Sequence, residues 1–88
     1  MFERQVRKTR KDNDGNILAL CNPEESWSPR LKKYAIHDIE SGSYNYYVLW
    51  PEGKRTDIRV VNDPRKGKYL RTDRDNTERN NLDDLLDC

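Results

Sequence analysis

The feature that most constrains this chain is a run whose side chains alternate with a period of two. It consists of Tyr44-Asn45-Tyr46-Tyr47-Val48-Leu49-Trp50, a turn at Pro51-Glu52-Gly53-Lys54, and a return through Thr56-Asp57-Ile58-Arg59-Val60-Val61. Aromatic and β-branched residues suit a half-buried strand. Alternation puts Tyr44, Tyr46, Val48 and Trp50 on one face, with Asn45, Tyr47 and Leu49 on the other. On the return, Ile58 and Val60 share a face, opposite Asp57, Arg59 and Val61. A slip of one residue would move every side chain to the wrong face. Setting Val48 opposite Ile58 and Tyr46 opposite Val60 keeps one face apolar and leaves Glu52-Gly53-Lys54 as the loop. A tighter turn at Glu52-Gly53 would set Val48 opposite Asp57, which burial forbids.

The remaining elements follow from turn and cap chemistry. Residues 4–11 form a first strand, Asp12-Asn13-Asp14-Gly15-Asn16 a turn, and Ile17-Leu18-Ala19-Leu20-Cys21 a second strand. The acidic turn lacks the glycine and glutamate positions of a calcium loop. Ser28 and Pro29 suit the N-cap and first position of a helix, which Gly42 ends. Leu31, Ala35 and Ile39 make its apolar stripe, widened by Tyr34 and Ile36, with His37 facing solvent. Trp27, just before the cap, closes one end of the core. After Asn62-Asp63-Pro64-Arg65-Lys66-Gly67, a last strand Lys68-Tyr69-Leu70-Arg71-Thr72 sets Leu70 opposite Val60. Asn81 caps a short helical turn from which Leu82 and Leu85 dock on the domain. The expected fold is α+β, a small antiparallel sheet in the order β-β-α-β-β-β with one helix on one face. Residues 1–88 make one domain, with about 4–73 as the folded part and 74–88 as a tail.

Composition limits what such a domain can be. Of 88 residues, 38% are charged and 33% hydrophobic, so each element contributes only a few core side chains. The formal net charge is +1, too small for generic attraction to nucleic acid or membrane. The charge is nevertheless uneven. Arg4, Arg7, Lys8, Arg10 and Lys11 open the chain, whereas Asp73, Asp75, Glu78, Asp83, Asp84 and Asp87 dominate its tail. Cys21 and Cys88 make neither a disulfide framework nor a metal site, with His37 the sole other soft ligand. Reduced thiols in the cytoplasm are expected, with no signal segment, membrane span, metal or cofactor.

Several blocks are similar to a known family. They are Lys11-Asp12-Asn13-Asp14-Gly15, a tryptophan before a helix ending Ile39-Glu40-Ser41-Gly42, and Tyr44…Tyr47-Val48. With Gly67-Lys68-Tyr69-Leu70-Arg71-Thr72 and Asn81-Leu82…Leu85…Cys88, they resemble the family called domain of unknown function 3892. The resemblance spans nearly the whole chain. Leu86 replaces a proline usual in relatives, and Gln5-Val6-Arg7-Lys8-Thr9 is less apolar than their first strand. The resemblance implies a small globular bacterial or phage protein with no catalytic residues to carry over, and a tail that belongs to the domain.

The outer sheet face carries the candidate binding residues. There Tyr47 is expected to face Arg59, and Arg59 to face Arg71, with Tyr69 beside Val61. Opposed arginines repel unless an anion covers them. Either Asp83, Asp84 and Asp87 of the tail cover this face, or a partner does. The main reading is a non-catalytic protein-binding or structural module using Tyr47, Arg59, Tyr69 and Arg71. The alternative is single-stranded nucleic acid stacked on the same face. No nucleophile–base spacing, phosphate loop or metal cluster points to an enzyme, and Cys21 has no histidine near it in sequence. The oligomeric state is open.

Overall fold

The protein is described by a computed structural model, which covers residues 2–73 and 80–88. Its elements run β1 (Phe2–Gln5), β2 (Lys8–Lys11), β3 (Ile17–Cys21), β4 (Arg30–Leu31), α1 (Lys32–Ser41), β5 (Tyr44–Leu49), β6 (Arg55–Asp57), β7 (Arg59–Asp63) and β8 (Gly67–Arg71). A 3-10 turn at Asn81–Asp84 and the short β9 (Leu86–Asp87) follow. The class is α+β, as expected. Among the described residues the strands divide among three sheets rather than one, ordered β1-β5-β6, β4-β3-β2-β9 and β7-β8. The pairings of β1 with β5 and of β2 with β9 are parallel.

The first strand splits at Val6 and Arg7 because its two halves serve different sheets. Val6 is buried between them, and its N–H donates to the Tyr47 carbonyl at 2.8 Å. The helix begins later than its cap chemistry suggests. Arg30 and Leu31 stay extended to pair with Leu20 and Ala19, and the Ser28 hydroxyl accepts from the Asn22 N–H at 2.9 Å. Leu31 and Tyr34 are therefore exposed, while Ala35 and Ile36 are buried and Ile39 packs against the core. Gly42 ends the helix at φ 76°, the left-handed conformation that glycine tolerates best.

The central hairpin keeps the expected parity but not the expected partners. Val48 stands opposite Thr56, and Tyr47 opposite Asp57, a displacement of two residues. Loop chemistry decides this. The Gly53 N–H donates to the Trp50 carbonyl at 2.9 Å, and the Trp50 N–H to the Lys54 carbonyl at 2.9 Å. The loop is thus Pro51-Glu52-Gly53, with proline where a fixed φ helps and glycine at φ 90° in the left-handed position. Tyr46, Val48, Trp50 and Ile58 still point inward. The return strand bends at Ile58, so β6 stays with β5 while β7 leaves to pair with β8. That last hairpin has the expected register, with Val60 opposite Leu70 and Val61 opposite Tyr69.

The tail docks, but not over the outer face of the hairpin. Leu82 is fully buried and Leu85 packs against the core, while β9 lies beside β2. Asp75 and Glu78 lie outside the described residues. Cys88 is joined to Cys21, overturning the expectation of two free thiols. The parallel pairing of β9 with β2, continued by the Cys88 N–H to the Thr9 carbonyl at 3.1 Å, carries the terminal cysteine to the end of β3. The bond spans a separation of 67 residues. Closing a loop of that length restricts the unfolded chain enough to stabilise the fold by roughly 4 kcal/mol. Cys88→Ser should lower unfolding free energy by about that amount in chemical denaturation, and Leu82→Ala by about 2–5 kcal/mol through the cavity it leaves.

Candidate ligand cleft

The four residues singled out on the outer face separate into distinct settings. Arg59 and Arg71 do stand opposite one another, and the anion that covers them is Asp73. Its carboxylate accepts from Arg59 Nε at 3.0 Å and from Arg71 Nε at 2.7 Å. Tyr47 does not face Arg59; the register places Asp57 there, and the Arg55 guanidinium lies 4.1 Å from the Tyr47 ring centroid. Arg55 in turn pairs with Glu3 at 2.7 Å. Tyr69 and Arg71, unlike the other two, face a cleft.

A more enclosed polar cluster lies at the start of β1 and was not anticipated. Asp38, on the buried side of α1, accepts two hydrogen bonds from Arg30, each 3.0 Å, and one from the Tyr46 hydroxyl at 2.6 Å. Arg4 donates to the Tyr46 oxygen at 2.9 Å and lies 3.6 Å from the centroid of the Tyr44 ring. The Trp27 ring meets Tyr46 edge-on at 5.7 Å. Every charge in this cluster has a counter-charge or a ring against it, so its role is to hold β1, β4, α1 and β5 together.

Burial pushes the Asp38 carboxyl up, but the hydrogen bonds from Arg30 and Tyr46 and the nearby Arg4 outweigh it and leave it below its ordinary value. Arg71, aided by Arg59, lowers Asp73 in the same sense. Tyr46 is raised, chiefly by burial and then by its bond to Asp38.

The cleft itself has a volume of about 630 Å³ and opens between the Asp12–Asn16 turn, the start of α1 and strand β8. Leu18, exposed on β3, and Tyr69 give it apolar surface. Lys32, Lys66 and Lys68 bring positive charge, against Asp12 and Asp83. Lys68 is paired with both carboxylate oxygens of Glu40, at 2.9 and 2.8 Å. Asp12 is turned to its own loop, accepting from the Asp14 and Asn16 N–H groups at 2.9 Å each. Lys32 and Lys66 have no ion pair with any described residue. Lys32 also opens a helix whose first turn has neither a side-chain cap nor an acid. A lysine there adds to the positive end of the helix dipole instead of opposing it. No sequence signal marked these three lysines. Lys66 and Lys68 are near neighbours in the chain, but Lys32 is distant, and only the fold brings it to the same cleft.

The pH dependence of stability follows from the shifts. For Asp38 and Asp73, folded values lie below the unfolded ones, so their contribution is present above the ordinary carboxylate value of 3.8. It is lost as pH falls through the folded values. For Tyr46 the folded value lies above 10.0, so its contribution is present below that pH and lost as pH rises through the folded value. Thermal unfolding against pH should therefore show a plateau with a loss at each end. Tyr46→Phe should weaken the alkaline loss and cost about 1 kcal/mol on the plateau, for the hydrogen bond removed.

No curated protein and no solved structure matches the chain. A family model described as Protein of unknown function (DUF3892) matches residues 5–86, in agreement with the blocks picked out in the sequence. With nearly all of its length matched, the chain belongs to that family.

Proposed function

We propose that this protein is a small non-catalytic module that binds an acidic segment of a protein partner in the cleft beside β8. The observation that carries the reading is the pair Lys32 and Lys66, which line the cleft with Lys68 and whose ammonium groups form no ion pair with a described carboxylate, although the Lys66 backbone N–H donates to Asp63 and its charge acts on that carboxylate at longer range. Holding like charges together costs free energy that a carboxylate-bearing ligand relieves. Leu18 and Tyr69 offer apolar contact beside the charge, which suits a peptide of mixed character.

Single-stranded nucleic acid is the less supported reading. The arginines meant to meet phosphate already share Asp73, and the Tyr47 ring already lies under Arg55. The Cys21–Cys88 bond favours an oxidising setting over the reducing cytoplasm, where such bonds are rare.

Titration with heptaglutamate tests the reading. Binding should weaken as salt rises, since the lysines are solvent-accessible. Lys32→Glu with Lys66→Glu should lower affinity by about tenfold, whereas Lys54→Glu, away from the cleft, should leave it unchanged. No binding at low salt, or equal loss from Lys54→Glu, contradicts it.

A further inference from the structure

The cleft follows the edge of a strand rather than the face of a sheet. Among the described residues β8 pairs only with β7. A cleft over a sheet face would touch alternate residues of a strand, because successive side chains point to opposite sides. This one is lined by Lys68, Tyr69, Leu70 and Arg71 in succession, including Leu70, whose own side chain is fully buried.

The direction of the backbone can be read from Asn80. Its side-chain amide donates to the Leu70 carbonyl at 2.9 Å, and its Oδ1 accepts from the Thr72 N–H at 3.4 Å. The Leu70 carbonyl therefore points away from β7, which makes Val60–Leu70 a pair that exchanges no backbone hydrogen bonds. By the same alternation the N–H of Leu70 and both backbone groups of Lys68 point away from β7. Asn80 already serves as a strand-like partner for one end of this edge. The other end faces the cleft. Across it, Ile17 and Leu18 lie before Ala19, where β4 begins to pair with β3.

We infer that β8 takes up the partner as an added strand: an extended, acidic peptide segment lies along Lys68–Leu70 and bonds to their outward backbone groups. Its carboxylates reach Lys66, Lys68 and Lys32, and its alternate side chains lie against Leu18 and Tyr69. This rests on the cleft reading and adds the mode of binding to it. Open strand edges are ordinarily blunted by charge; along this edge, which has no further strand among the described residues, the lysines on and beside it select for acidic strands.

The test uses a blocked hexapeptide of alternating glutamate and valine, with two relatives in which the amide nitrogens of either the glutamates or the valines are methylated. Each keeps the charge and side chains, but only one set of amides faces β8. The parent peptide should bind, slow hydrogen exchange at the Lys68 and Leu70 amides, and lose about tenfold in affinity with one methylated set only. Equal effects of the two sets, or binding without slowed exchange at those amides, overturns strand addition. Failure of the hexapeptide while heptaglutamate still binds also overturns it and leaves the charged cleft standing. If neither peptide binds, both readings fall.

Discussion

One buried carboxylate organises this small fold. Asp38 joins its own helix to Arg30 on β4 and Tyr46 on β5, and through Tyr46 and its own charge to Arg4 on β1. Its side chain is only 5% exposed, so its charge is tolerable only because three donors surround it. Removing it would leave two arginines without their counter-charge. Losses of that kind commonly cost about 3–5 kcal/mol when the pair is buried, and somewhat less here because Arg30 is partly open to solvent. The Arg30–Asp38 bond has a further consequence. It fixes the junction between β4 and α1, which is where Lys32 enters the cleft.

A second, neutral network sets the opposite wall. The Thr72 hydroxyl lies 2.8 Å from Thr56 Oγ1 and 3.0 Å from the Asp57 carbonyl, tying β8 back to the central hairpin. Trp50 donates to the same Thr56 oxygen at 2.9 Å. The Thr72 carbonyl accepts from the Asn81 N–H at 3.1 Å, and next to it Asn80 bridges the β8 edge. Leu82 and the Cys21–Cys88 bond hold this terminal segment in place. The cleft is thus bounded by elements that are each fastened to the core, while its own lysines are not engaged in that fastening, apart from Lys68 with Glu40.

Much of the interior was legible in the sequence, for a definite physical reason. The period of two assigns Tyr46, Val48 and Trp50 to one face, and Ile58 joins them in every register that keeps that face apolar. Parity cannot separate registers that differ by two, and there the turn decided, through Pro51 and Gly53. The register of β7 with β8 was legible because Val60 and Leu70 leave little choice. The parallel pairings were not. Each involves only a few residues far apart in sequence, and short strands carry no mark of their distant neighbours. Asp38 read as part of a polar helix face because its counter-charges lie on other elements. At the candidate site, opposed Arg59 and Arg71 correctly implied a covering anion, which proved to be Asp73. Tyr69 and Arg71 reach the cleft, whereas Lys32, Lys66 and Lys68 carried no local signal.

Occupancy of the cleft by an acidic segment is measured most directly by zero-length carbodiimide cross-linking of heptaglutamate to the native protein, with the joined residues mapped by mass spectrometry. This chemistry links a carboxylate only to an amine already in contact with it. Cross-links are expected at Lys32, Lys66 and Lys68, suppressed by high salt. Cross-links spread evenly over lysines away from the cleft, such as Lys8, Lys33 and Lys54, would contradict it.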